Sequence, residues 1–112
     1  MRHNRQKDGI VYISGPITLD DGWRQRFKDA YDRLKSEGWG AVQNPADIGD
    51  GLDMMLGAVG KKPSYADYMK ANLRVLLGCT HVYMLKGWEG SRGACVEKQV
   101  AEACGLEVMY EV

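Results

Sequence analysis

A parallel α/β fold is what this sequence predicts: a flavodoxin-like or Rossmann-like three-layer sandwich of about four strands in the order 2-1-3-4. Three observations carry that expectation. Short β-rich runs alternate along the chain with longer stretches whose apolar residues recur at helical spacing. The run His81 to Leu85 (HVYML) is continuous and apolar enough to be a central strand. Right-handed crossovers make the first strand most simply central, so the strand order reverses between strands one and three.

Ile10 to Ser14 (IVYIS) is the first strand, stopped by Gly15-Pro16. Asp20 to Glu37 carries Trp23, Phe27, Ala30, Tyr31 and Leu34 at helical spacing and ends at Gly38, a good C-terminal cap. Trp39 to Gln43 (WGAVQ) is a second, weaker strand closed by Asn44-Pro45. Residues 46–63 break the rhythm with Gly49, Gly51, Gly57 and Gly60, a Met54-Met55-Leu56 patch and Lys61-Lys62-Pro63. They read as a long loop or short helix outside the core, either a lid or interface arm or a plain insertion. Ser64 caps a helix, with Asp67 as capping-box partner, that runs through Tyr68, Met69, Leu73, Leu76 and Leu77 to Gly78. After strand His81 to Leu85, Lys86 to Gly90 leads into a helix over 91–104, and Leu106 to Tyr110 is the last strand.

A chain of 112 residues with 45% hydrophobic content fits one domain, 1–112, with residues 1–8 as a solvated, flexible tail. Fifteen basic residues balance fifteen acidic ones, so no net field gathers a nucleic-acid polymer. No apolar run has the length of a membrane span, and no membrane partner is expected. Cys79, Cys95 and Cys104 are an odd set without C-x-x-C spacing, which reads as reduced thiols in a cytoplasm, Cys79 and Cys104 in apolar surroundings. With only His3 and His81, no cluster has metal-ligand spacing, so neither metal nor cofactor is expected.

The residue that asks for an explanation is Glu97. On a helix over 91–104, an advance of about 100° per residue places Gly93, Ala94, Val96, Val100, Ala101, Ala103 and Cys104 on one arc with Glu97 near its centre. Lys98 and Glu102 fall on the other side, spaced for an i,i+4 pair. An inward carboxylate costs several kcal/mol unless a cation, water or ligand answers it. Glu97 is therefore either a pocket wall or half of a structural ion pair. Its helical neighbours Gly93 and Ala101 leave room and favour the pocket.

In an open parallel sheet, ligands bind beyond the carboxyl ends of the strands, where the order reverses. Two turns meet there: Ser14-Gly15-Pro16 after strand one, and Gly87-Trp88-Glu89-Gly90-Ser91 after strand three. Gly15 lets a ligand approach the backbone and Pro16 stiffens the turn. Ser91 and Gly93 open the Glu97 helix and form either an ordinary N-cap or an anion seat. Ser91 and Glu97 are roughly 9 Å apart along the axis, comparable to a sugar phosphate. A carboxylate beside a sugar ring is the arrangement of a retaining glycosidase, which also needs a proton donor for the leaving group. Asp20, Asp21 and Glu89 are candidates; Tyr12, Trp23, Tyr68 and Trp88 are possible stacking faces for a base.

Tyr12-Ile13-Ser14-Gly15-Pro16, Asn72-Leu73, and Gly87-Trp88-Glu89-x-Ser91-x-Gly93 with Glu97 and Ala101 resemble the nucleoside 2-deoxyribosyltransferase superfamily. The closest likeness is to its short phage and bacterial branch, and the chain is similar also to the 2'-deoxynucleoside 5'-monophosphate N-glycosidases. The resemblance implies Glu97 as nucleophile at the anomeric carbon, Ser91 at a 5' phosphate, Tyr12 in the pocket, and a homo-oligomer. The family usually has aspartate where Asn72 stands; an asparagine can orient a leaving base or Glu97 but donates no carboxylic proton. The arginine and paired glycines of the nucleotide hydrolases are replaced by Thr18, Leu19 and Asp20. The expected function is cleavage or transfer of the N-glycosidic bond of a deoxynucleoside or its monophosphate. The alternatives are a nucleotide-binding module without turnover, which Asn72 favours, and an interaction protein working through its Met-rich segment.

Overall fold

The computed structural model describes residues 7–18 and 22–112. The first six positions, together with Leu19, Asp20 and Asp21, lie outside the described residues. The sheet has four parallel strands: β1 (Lys7–Ser14), β2 (Trp39–Gln43), β3 (His81–Met84) and β4 (Glu107–Tyr110), in the order β2-β1-β3-β4. The expected 2-1-3-4 α/β sandwich is the fold observed.

Strand alternation divides the core in two. Val11 and Ile13 point to one face, where α1 (Gly22–Ser36) lays Phe27, Ala30 and Leu34 against them with Tyr83 and Leu85. Tyr12, Val82 and Met84 point to the other face, covered by Leu76 of α3 (Tyr65–Leu77) and by Ala94 and Ala101 of α4 (Arg92–Ala103). This placement follows from right-handed crossovers: stepping from β1 to β2 and stepping from β3 to β4 run in opposite directions across the sheet, so their helices take opposite faces.

Local signals set the ends of these elements. Gly38 takes φ +103 after α1, where the chain reverses into β2. The capping box at α3 is complete: Ser64 Oγ accepts from the Asp67 N–H at 3.1 Å, and Asp67 Oδ2 accepts from the Ser64 N–H at 2.9 Å. Lys98 and Glu102 form the expected pair at 3.0 Å, with the Lys98 ammonium 5.2 Å over the Trp88 ring.

Two readings of the sequence are corrected and one alternative is decided. Of the long loop and the short helix read for residues 46–63, the helix forms over most of the stretch, as part of α2 (Pro45–Gly57). Asn44-Pro45 closes β2 but also starts this helix: Asn44 Oδ1 accepts from the Ala46 N–H at 3.0 Å and Pro45 sits in the first turn, which its fixed φ suits. Lys7 and Asp8, read as part of a flexible tail, belong to β1; the Lys7 N–H donates to Gly38 O at 2.8 Å and its ammonium lies over Trp39. Cys104 and Ala103 are exposed, because the buried face of α4 is centred on Ala94, Glu97 and Ala101 and leaves Val96 and Val100 only half-buried. Cys79 is buried, and burial pushes its thiol up to about 11. No helix among the described residues is long and apolar enough to cross a membrane.

Gly15 shows how tightly β1 and β3 approach at the edge of the sheet. A Cβ at this position would stand 2.7 Å from Leu85 Cβ, while Leu85 N–H donates to Ser14 O at 2.8 Å. The room Gly15 provides therefore goes first to Leu85. Gly15→Ala is expected to cost about 1–3 kcal/mol of stability, the usual penalty of overpacking, measured by urea denaturation. An unchanged midpoint would mean that the two strands can spread at no cost.

Candidate functional site

Tyr12 and Ser14 are two positions apart on β1, so both side chains leave the sheet on the α4 side. Glu97 arrives between them from the middle of α4. Tyr12 Oη donates to Glu97 Oε2 at 2.7 Å, and Ser14 Oγ donates to Oε1 at 2.6 Å. All three are buried, Glu97 at 5% exposure and the two donors at 0%. Among the described residues no lysine, arginine or histidine lies within ion-pair distance of Glu97. Two hydroxyl donors are its partners there.

The electrostatics follow from that geometry. Burial raises the pKa of the Glu97 carboxyl above its ordinary value, and the hydrogen bonds from Ser14 and Tyr12 pull it partly back. Burial first, then the Glu97 charge and hydrogen bond, push the Tyr12 phenol well above its own ordinary value. Tyr12 therefore remains a proton donor over the working pH range. Each Glu97 oxygen accepts one hydrogen bond from these two and keeps further lone-pair capacity.

Glu97 lines a cavity of about 720 Å³, within the size range of small-molecule sites. Asn72, Gly15, Pro16, Ser91 and Gly93 line the same cavity. Asn72, on α3, is 7% exposed, and its Oδ1 is buried with no hydrogen-bond partner among the described residues. A buried acceptor left unanswered is costly unless something else supplies the donor.

Ser91 is the N-cap of α4, its Oγ accepting from the Ala94 N–H at 3.2 Å. Its own O–H is left to donate, and the first-turn N–H groups of Arg92 and Gly93 have no intrahelical partner. The N-cap and anion-seat readings are thus compatible. Gly93 is faced by Tyr65 Oη and Met69 Sδ, 3.4 and 3.6 Å from where a Cβ would be.

Tyr12 and Trp88 are not among the cavity-lining residues. Tyr12 lies behind Glu97 and acts on the cavity only through it. Trp88, in a single 3-10 turn (Trp88–Gly90), packs beside Tyr110 with ring centroids 6.1 Å apart and under Lys98. The aromatic residues on the cavity wall are Trp23, Tyr65 and Tyr68.

Sequence reasoning missed four contributors. Ser14 was legible from strand alternation, two residues from Tyr12. Arg92 also lines the cavity, with its guanidinium 5.7 Å from the Tyr65 ring centroid. Asp53 and Gly49 line it from α2; the reading of residues 46–63 as a segment outside the core hid them. Among the described residues no group of three or more His, Cys, Asp or Glu side chains is placed to hold a metal ion. The arrangement offers instead a desolvated carboxylate, a cationic helix tip and an unpaired amide around one hollow.

No curated protein and no solved structure matches this chain. The model of the family described as a domain of unknown function, DUF4406, matches residues 9–110, and the chain belongs to that family.

Proposed function

We propose that the protein cleaves or transfers the N-glycosidic bond of a 2'-deoxynucleoside or its 5'-monophosphate, with Glu97 as nucleophile. The observation that carries this reading is a buried carboxylate at a cavity wall, held by two hydroxyl donors and, among the described residues, by no cation. A glutamate kept only for stability would be expected to have a charged partner. In the proposed reaction a Glu97 oxygen bonds to C1' of the sugar while the C1'–N bond breaks, its electron pair leaving with the base, which takes up a proton from solvent water. Water or a second base then attacks C1', the C1'–O bond to Glu97 breaks with its electron pair returning to the carboxylate, and the attacking group gives its proton to solvent. Tyr12 and Ser14 hold both oxygens and position the nucleophile. Ser91, the α4 tip and Arg92 suit a 5' phosphate, and about 9 Å of helix separates Ser91 from Glu97. Gly15 and Pro16 shape the sugar side, and Asn72 orients the leaving base.

The test is base release, followed by chromatography after incubation with each deoxynucleoside and deoxynucleotide, with and without a second free base, beside Glu97→Gln. Turnover that disappears in the variant supports the enzyme; equal release by both proteins rules out Glu97 as nucleophile. A second reading, a binding module without turnover, is favoured by Asn72, whose amide donates no carboxylic proton. Tight binding of ligand that stays intact would support it. Asn72→Asp is expected to raise base release by about 10²-fold, the lower end of general-acid contributions. No change would remove Asn72 from the mechanism.

A further inference from the structure

The α2–α3 wall of the cavity carries a carboxylate with acceptor capacity to spare. Asp53 of α2 lines it, and Asp53 Oδ1 accepts a hydrogen bond from Tyr68 Oη. Among the described residues no lysine, arginine or histidine pairs with Asp53; the nearby Arg24 forms a two-pronged bond with Asp50 instead, at 2.8 and 3.2 Å. Asp53 is thus tied by one oxygen to α3, while its helix is tied to α1 through Asp50. Asn72 lies one turn beyond Tyr68 on α3, with its buried Oδ1 unpartnered. A carboxylate held by one oxygen makes this wall complementary to a ligand edge that sets N–H groups side by side, with Asn72 packed behind it.

Given the proposed reaction, on which this inference rests, the sugar's C1' is at Glu97 and its 5' end points toward Ser91 and Arg92. The base is then left to the α2–α3 wall. We infer that this wall reads the base, and that Asp53 selects guanine. Guanine presents N1–H and the 2-amino group side by side, two parallel donors for one carboxylate, as in other bidentate pairings. Adenine and cytosine set their amino group beside a ring nitrogen that is itself an acceptor and would face a carboxylate oxygen. Thymine offers a single N–H between two carbonyl oxygens. Tyr68 fixes the orientation of the carboxylate, so Asp53 is a specificity residue and Tyr68 a positioning residue.

Binding to the Glu97→Gln protein, which leaves the ligand intact, separates recognition from chemistry. Calorimetric titration with deoxyguanosine, deoxyinosine and thymidine is expected to show deoxyguanosine at least about 10-fold tighter than deoxyinosine, which lacks only the 2-amino group, and about 10²-fold tighter than thymidine. Adding Asp53→Asn should collapse both ratios to within about threefold, and Tyr68→Phe should reduce them. Asp53 is exposed, so the variant should fold, which its thermal midpoint will show. Equal affinities for the three ligands, ratios that survive Asp53→Asn, or no binding at millimolar ligand would each overturn the inference. A clear guanine preference in a wild-type protein that releases no base would uphold this inference and sink the proposed reaction. Equal release of all bases by the wild type would do the reverse.

Discussion

Glu97→Gln is expected to lower base release by about 10³-fold or more while raising the thermal midpoint at neutral pH. The loss follows from removing the nucleophile that bonds to C1'. The stabilisation follows from burial. Glu97 has a folded-state pKa above its ordinary value because desolvation outweighs the hydrogen bonds from Ser14 and Tyr12. Below the ordinary glutamate range both folded and unfolded chains are protonated, and the group's contribution to stability is fully present. As pH rises, the unfolded chain releases its proton first, so stability falls through the folded pKa. Glutamine carries no such charge. The variant should therefore match the wild type in acid and exceed it near neutrality, a pattern read from melting curves across pH. The same raised pKa places the acid limb of wild-type activity above the usual carboxylate range. A wild type more stable than Glu97→Gln near neutrality would mean that the carboxylate earns its place by stability and not by chemistry.

Removing either hydroxyl that holds Glu97 is expected to have the opposite effect on stability. Tyr12→Phe deletes the donor 2.7 Å from Oε2, and Ser14→Ala deletes the donor 2.6 Å from Oε1, and among the described residues no cation is within ion-pair distance of Glu97 to compensate. Hydrogen bonds to a charged group are worth about 1.5–3 kcal/mol, so each change should destabilise the protein by about that much at neutral pH. Both bonds favour the ionised carboxyl, so losing one raises the Glu97 pKa further. The deficit should accordingly shrink in acid, and the acid limb of activity should move upward. In the double variant Tyr12→Phe with Glu97→Gln the two effects should not add, because they act on one network. Urea denaturation at two pH values measures this. A Tyr12→Phe deficit that is the same in acid and at neutrality would assign the loss to packing.

The elements of the sheet and the inward direction of Glu97 were legible because both depend on local periodicity. Tyr12 and Ser14 share a face by strand alternation, Ala94, Glu97 and Ala101 by helical spacing, and Ser64 with Asp67 announces the start of α3. Helix α2 stayed one of two alternatives, because Gly49, Gly51 and Gly57 weigh against a helix, whereas the Asn44 cap, Pro45 and packing against α3 outweigh them. Trp88 was read as facing a base, yet its ring packs beside Tyr110, a neighbour supplied by a strand more than twenty positions later.

By itself the sequence determined the strand order, the helix caps and the presence of one carboxylate facing inward, since each follows from backbone preference and the spacing of apolar residues. Only the tertiary structure decided what that carboxylate meets: two hydroxyls from β1 behind it, a hollow in front of it, and Asp53, Asn72 and Arg92 around that hollow. These groups come from β1, α2, α3 and α4, and how far apart they stand depends on how helices pack across a sheet, which no local pattern encodes.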